Sequence, residues 1–279
     1  MDSFSAKIRV LLPVVEHFPE DSPNPMSLPA ALIFDVDGTL AETERDGHRV
    51  AFNRAFAAMG LPWQWSVGLY GQLLRVAGGK ERLRHYIERY QPKGLPEGDP
   101  TDLITALHQA KGRHFKDLLL ANVIPLRPGV RRLLNEARQQ NVRLAIATTS
   151  AKDSVMPLLE QLLGPESPGW FEVIAAGDMV ATKKPAPDIY HLVVEAMDLP
   201  REHCLVLEDS QQGVLASVAA GLPTVVTIND YTRNQPMPGA CLVISHLGEP
   251  SQPFEVLWGE AKDAYYFSLE LAQSLLAAG

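Results

Sequence analysis

Cysteine is scarce: 279 residues contain two, Cys204 and Cys241, with no CxxC spacing. That excludes a disulfide framework and a thiolate zinc site, and makes a reducing compartment, the cytoplasm, the expected setting. Positive charge is also in deficit, with 25 Lys and Arg against 33 Asp and Glu and a net charge of −8. A surface so biased is ill suited to coating nucleic acid or an anionic membrane, so neither is an expected partner. No apolar run approaches the roughly 20 residues that cross a bilayer. The eight histidines form no HExxH pattern, and neither GxxxxGK[ST] nor GxGxxG occurs, which removes the common zinc-protease and nucleotide signatures.

Proline, in contrast, is abundant at 22 residues, against a usual share of about 5%. Pro13, Pro19, Pro23, Pro25 and Pro29 crowd the start, and Pro236, Pro238, Pro250 and Pro253 the end. Residues 1–28 read as a mobile leader without helical or strand periodicity. Its apolar stretch Val10–Val15 is short and broken by Pro13, unlike a signal peptide, and its acids outnumber its bases, unlike a transit peptide. Met26 offers an alternative start.

Beyond the leader the chain carries short apolar runs, each ending abruptly in polar residues: Ala31–Phe34, Val142–Ala147, Val173–Ala176, Cys204–Leu207, Thr224–Ile228 and Cys241–Ile244. Runs of this kind suit strands buried on both faces of a parallel sheet. Segments between them carry helical spacing, such as Val130, Leu133, Leu134 and Ala137. The alternation predicts an α/β fold, a doubly wound parallel-sheet (Rossmann-like) core. From Thr43 to about Ile124 only helical patterns occur, which predicts an inserted α-helical cap domain over 43–124, with the core split into 29–42 and 125–279. The stretch from Ala261 to the end is expected to be an amphipathic helix covering the sheet.

In an open parallel sheet, ligands bind beyond the carboxyl ends of the strands. The polar residues after each run should therefore meet: Asp35 and Asp37, then Thr148, Thr149 and Ser150, then Glu208, Asp209 and Ser210, with Lys183 and Lys184 close to the third run. Carboxylates packed together repel unless protonated or neutralised by a cation. Hard oxygen donors favour Mg²⁺ over zinc. Such a site suits a phosphoryl group, whose oxygens need positive charge and hydrogen-bond donors in the transition state. A carboxylate at Asp35 can attack phosphorus, and Asp37 can move the proton. Taken singly, Thr148 and Thr149 would equally cap the following helix, and Glu208-Asp209 would be a solvated loop pair.

The ordered motifs FDVDGT, TTS, KKPAPD and LEDS resemble those of the haloacid dehalogenase-like superfamily of phosphatases and phosphomutases, over roughly residues 28–235. The resemblance implies Asp35 as nucleophile, Asp37 as general acid/base, and Thr148 and Lys184 on the transferring phosphoryl group. It implies Mg²⁺ held by Asp35, the Asp37 carbonyl, Asp209 and Glu208. Lys184 is preferred to Lys183 because the family pattern sets the lysine directly before Pro-x-Pro-Asp. The helical insert corresponds to the family's cap, which closes over substrate.

AETE at 41–44, AGGKER at 77–82, AAGDMVATKKPAPDIY at 175–190 and YTR at 231–233 are similar to the CbbY-type branch, close to β-phosphoglucomutase. That branch includes phosphatases acting on xylulose 1,5-bisphosphate, so a phosphorylated sugar is the implied small-molecule partner. Gly78, Gly79, Lys80, Glu81 and Arg82 then correspond to the cap segment that contacts substrate, with Glu44 and Tyr70 beside it and Thr149 and Ser150 on the core side. Glycine amides with Lys80 and Arg82 suit a second phosphate. A monomeric phosphatase is the leading expectation. A phosphomutase of the same fold and a non-catalytic binding protein on the same scaffold are the alternatives.

Overall fold

A computed structural model describes residues 28–76 and 78–278. The leader expectation, residues 1–28, thus falls almost wholly outside the described residues, as does Ala77 of the AGGKER segment. The chain divides into two compact units, residues 42–125 and the remainder.

The chain enters through β1 (Ala31–Phe34), every residue of which is buried. The inserted unit comes next. A π-helical stretch (Thr43–His48) leads into α1 (Arg49–Ala58), α2 (Val67–Leu73), α3 (Gly79–Tyr90) and α4 (Thr101–Leu120). The apolar spacing explains the packing: Phe52 and Phe56 on α1 and Ile104, Leu107 and Leu118 on α4 are all buried. Aromatic rings pack together in this unit. Trp65 lies 4.7 Å from Phe52, 5.0 Å from Phe56 and 5.3 Å from Tyr86, centroid to centroid, within the range where ring pairs add to simple burial. Ser66 starts α2 by accepting the Leu69 N–H at 3.2 Å, as a serine N-cap should.

The other unit continues with α5 (Val130–Gln139), β2 (Arg143–Ala147), α6 (Lys152–Leu163), β3 (Val173–Ala175), α7 (Asp188–Met197), β4 (Cys204–Glu208), α8 (Gln211–Ala219), β5 (Thr224–Thr227), β6 (Leu242–Ile244), β7 (Val256–Gly259) and α9 (Leu269–Ala278). The strands form one sheet in the order β3-β2-β1-β4-β5-β6-β7. It is parallel from β3 to β6, and β7 runs antiparallel at the edge. The chain winds outward from β1 to β3 and then returns to place β4 beside β1. The topological switch therefore lies between β1 and β4, where Ala31 is in register with Cys204 and Phe34 with Leu207. Ligands are expected outside the carboxyl ends of the strands at such a point.

One strand carries no signal in the sequence, and one helix starts later than expected. The edge strand β7 falls in VLWG, whose residues are all exposed; an exposed edge strand lacks the buried run that marks the others. The C-terminal helix begins only at Leu269. Upstream, the Phe267 N–H donates to the Leu247 carbonyl at 2.7 Å and the Phe254 N–H to the Tyr265 carbonyl at 2.9 Å. Those long-range bonds take backbone groups that a longer helix would have used.

Candidate active site

The first carboxylate is positioned by sheet hydrogen bonding. The Asp35 N–H donates to the Leu207 carbonyl of β4 at 3.0 Å, carrying the register one residue beyond β1. Glu208 ends β4 and is fully buried, and Asp209, the next residue, is also buried. One carboxylate oxygen from each of Asp35, Glu208 and Asp209 lies within 4.8 Å of the others. Two glycines make this convergence possible. A Cβ on Gly213 would stand 2.0 Å from the Glu208 carboxyl carbon, so α8 can pass over that carboxylate only without a side chain. Gly38 has φ +86°, and a Cβ there would lie 2.4 Å from an oxygen of Asp209, so the loop after β1 turns as only glycine permits.

Lys184, not the exposed Lys183, reaches the cluster. Its ammonium donates to Asp35 Oδ1 at 2.7 Å, Glu208 Oε1 at 2.5 Å and the Ala147 carbonyl at 2.9 Å, which uses all three of its donors. Burial works against its charge, yet Asp35 and Glu208 together hold the ammonium well above its ordinary range. Burial raises Asp35 from the ordinary 3.8 to about 8; Lys184 pulls it down, while Glu208 and Asp37 push it up. Asp209 is also well above the carboxylate range, first through burial and then through Glu208 and Asp35, with Arg127 opposing.

Three clustered carboxylates are thus answered by one ammonium, which binds two of them. The surplus negative charge, the all-oxygen donor set and the burial together fit a hard divalent cation. Asp35 and Asp209 are the carboxylates best placed to hold one by their side chains. Glu208 is more fully engaged by the protein, since Oε1 also accepts the Tyr190 hydroxyl at 2.6 Å and Oε2 the Asp209 N–H at 3.0 Å.

Asp37 is directed elsewhere: its carboxylate accepts the Ser150 hydroxyl. Thr148 is buried, with its N–H on the Ala175 carbonyl at 3.0 Å and its Oγ1 accepting the Ser150 N–H at 3.1 Å. Neither Thr148 nor Thr149 caps α6. The residue at that position is Ala151, with no side-chain bond, and Thr149 is exposed. Of the second motif, Ser150 is the residue bonded to Asp37.

Within the helical unit, three of the residues singled out from sequence form one chain of contacts. The Tyr70 hydroxyl donates to Glu44 Oε2 at 2.6 Å and accepts from Arg82 Nη1 at 3.2 Å, while Arg82 Nε donates to the Leu73 carbonyl at 3.2 Å. Tyr70 and Arg82 are buried, whereas Gly78, Lys80 and Glu81 are exposed and Gly79 is half-buried. Lys80 and Glu81 share a surface cleft of about 350 Å³ with Arg84, His85, Glu88 and Thr101. Arg82 and Lys80 therefore point to different environments.

Three further residues stand outside the site expected from sequence. Tyr190 holds Glu208 from α7 and places its ring 5.0 Å from the Lys184 ammonium. Arg127 is buried and gathers four backbone carbonyls: Gly38 and Thr227 on Nη1, Ile228 at 2.6 Å and Ser245 at 2.9 Å on Nη2. It thereby ties the loop after β1 to the ends of β5 and β6. Asn229 donates its amide to Asp209 Oδ2 at 2.6 Å. It comes directly after the fifth apolar run just as Asp35 comes after the first, so the rule that reaches Asp35 from sequence also reaches Asn229.

The chain is similar to known proteins over most of its length. The plasmid-encoded protein CbbY of Cupriavidus necator is 46% identical over 223 residues, 80% of this chain and 87% of that protein. The crystal structure of a CbbY variant from Rhodobacter sphaeroides, in complex with xylulose-1,5-bisphosphate, is similar at a TM-score of 0.70 and 42% identity, covering 81% of this chain and 98% of that one. A candidate β-phosphoglucomutase from Thermotoga maritima is similar at a TM-score of 0.61 and 28% identity, covering 76% and 93%. The family profile of haloacid dehalogenase-like hydrolases matches residues 29–221. Because that match spans both strand ends that carry the buried carboxylates, the chain belongs to the haloacid dehalogenase-like hydrolases.

Proposed function

We propose that this hydrolase is a Mg²⁺-dependent phosphatase of phosphorylated sugars, working through an aspartyl-phosphate on Asp35, with a pentulose bisphosphate such as xylulose 1,5-bisphosphate as substrate. The observation that carries the chemistry is the cluster of Asp35, Glu208, Asp209 and Lys184 at the switch between β1 and β4. The substrate rests on the likeness to the CbbY proteins, one of which is seen with that bisphosphate.

An oxygen of Asp35 attacks phosphorus, the bond from phosphorus to the sugar oxygen breaks, and Asp37 supplies the proton to the leaving oxygen. Water then attacks the same phosphorus, the bond to Asp35 breaks, and Asp37 accepts the water's proton. The Ser150 hydroxyl orients Asp37 for both transfers. Lys184 holds the Asp35 carboxylate and supplies positive charge to the phosphoryl oxygens, with the Thr148 hydroxyl as a hydrogen-bond donor. A bound Mg²⁺, held by Asp35 and Asp209 with the Asp37 carbonyl and Glu208, would neutralise the carboxylates and polarise the phosphoryl group.

In the helical unit, Glu44, Tyr70, Gly78, Gly79, Lys80, Glu81 and Arg82 are assigned to the sugar and its second phosphate. The bonded series Glu44–Tyr70–Arg82 supports this, because it holds a guanidinium in fixed geometry. A phosphomutase would use the same nucleophile and differ only in the phosphoryl acceptor. A panel of sugar mono- and bisphosphates with Mg²⁺, scored for both free phosphate and isomerised sugar, separates the two. Phosphate release, fastest with a pentulose bisphosphate, is the expected result. Isomer without phosphate would establish the mutase, and no turnover of any ester would overturn both.

A further inference from the structure

We infer that Asn229 is a positioning residue for the metal: it fixes the Asp209 carboxylate in the orientation that Mg²⁺ requires. The inference rests on the metal reading of the carboxylate cluster. Asn229 Nδ2 donates to Asp209 Oδ2 at 2.6 Å, leaving the other carboxylate oxygen without that tether.

The amide cannot turn over without loss. Its Oδ1 accepts the Tyr231 N–H at 2.9 Å, so the NH₂ end must face Asp209. The backbone beneath it is also held. The Asn229 N–H donates to Thr232 Oγ1 at 3.0 Å, and the two preceding carbonyls, Thr227 and Ile228, are both bound by Arg127. The same guanidinium binds the Gly38 carbonyl. Gly38 lies against the bonded pair so closely that a Cβ there would be 2.4 Å from Asp209 Oδ2 and 2.7 Å from Asn229 Nδ2.

The Asp209–Asn229 bond is therefore clamped between the loop that carries Asp37 and the end of β5. Asp209 is buried among like charges, which favour its swinging away from Glu208 and Asp35. The amide resists that motion. Hydrogen-bond partners that orient metal ligands in this way commonly account for about 10- to 100-fold in metal affinity.

The test is Mg²⁺ binding by isothermal calorimetry to the wild-type protein and to Asn229→Ala and Asn229→Ser, with melting temperature measured in chelator. A serine is too short to reach Asp209 but still accepts the Tyr231 N–H, so it keeps the turn folded if alanine does not. Both variants should bind Mg²⁺ about 10-fold or more weakly, with the metal-free melting temperature nearly unchanged. At saturating Mg²⁺, the KM for a sugar phosphate should stay close to wild type. Wild-type affinity in either folded variant would overturn the inference, as would a loss explained by a matching fall in metal-free melting temperature. Failure of the wild-type protein itself to bind Mg²⁺ would instead overturn the metal reading.

Discussion

The two units bury charge in opposite ways. In the helical unit a single guanidinium, Arg82, lies beside Tyr70, its charge answered through the phenol hydroxyl by a single carboxylate, Glu44. Within that series the charges are balanced, so the guanidinium is held in one geometry before any ligand arrives. In the sheet unit three buried carboxylates cluster and one ammonium binds two of them, and two of the three are driven above their ordinary range by burial and by neighbouring carboxylates. That arrangement is incomplete without protons or a cation. A balanced charge pair presents a side chain ready-made, whereas an unbalanced cluster must first take up a proton or a cation.

The contrast can be broken most severely at the nucleophile. Asp35→Asn should lower kcat by about 10³-fold or more and leave the protein folded, since it relieves rather than adds buried charge. Turnover near wild type, measured with an aryl phosphate, would remove Asp35 from the mechanism. Next in size is Arg127→Met, which strips four backbone carbonyls of their donor. Urea unfolding should show a loss of about 3 kcal/mol, because abandoned buried acceptors cost about 1–3 kcal/mol each and some regain water. A loss below about 1 kcal/mol would show the loops to be held by other bonds.

The imbalance itself is tested by pH. Asp35 is raised to about 8, so below about pH 4 it is protonated in both folded and unfolded chains and its contribution to stability is fully present. As pH rises toward 8 the unfolded chain releases its proton first, and that contribution is lost. Without metal, the melting temperature should therefore fall from pH 5 to pH 8. Mg²⁺ replaces the proton, so its stabilising shift should be larger at pH 8 than at pH 5. Equal shifts would contradict the account. The smallest effect is expected in the helical unit: Tyr70→Phe should cost about 1 kcal/mol and leave Mg²⁺ affinity unchanged, as calorimetry would show.

The same contrast governs how much was legible in the sequence. The sheet core could be read because a buried parallel strand is a short apolar run, and its functional residues come directly after it. Asp35, Thr148, Glu208 and Asp209 are all found this way. β7 escaped because an exposed edge strand has no such run. Arg127 and Tyr190 escaped for a different reason: Arg127 lies in the loop before α5 and Tyr190 within α7, and nothing local tells a buried guanidinium or phenol from an ordinary one. In the helical unit, periodicity shows that Arg82 lies on the face of Leu83 and Tyr86 but not which hydroxyl or carbonyl it meets. Helix packing sets those partners through contacts between segments far apart in sequence.

The central claim is that Asp35 carries the phosphoryl group. Asp37→Asn should still accept it from an aryl phosphate, whose leaving group needs no proton, but should be slow to activate water for its release. Mass spectrometry of the Asp37→Asn protein, digested after incubation with Mg²⁺ and p-nitrophenyl phosphate, should find a phosphoryl adduct on Asp35. Release of nitrophenol and phosphate together, with that residue unmodified at every time point, would contradict it.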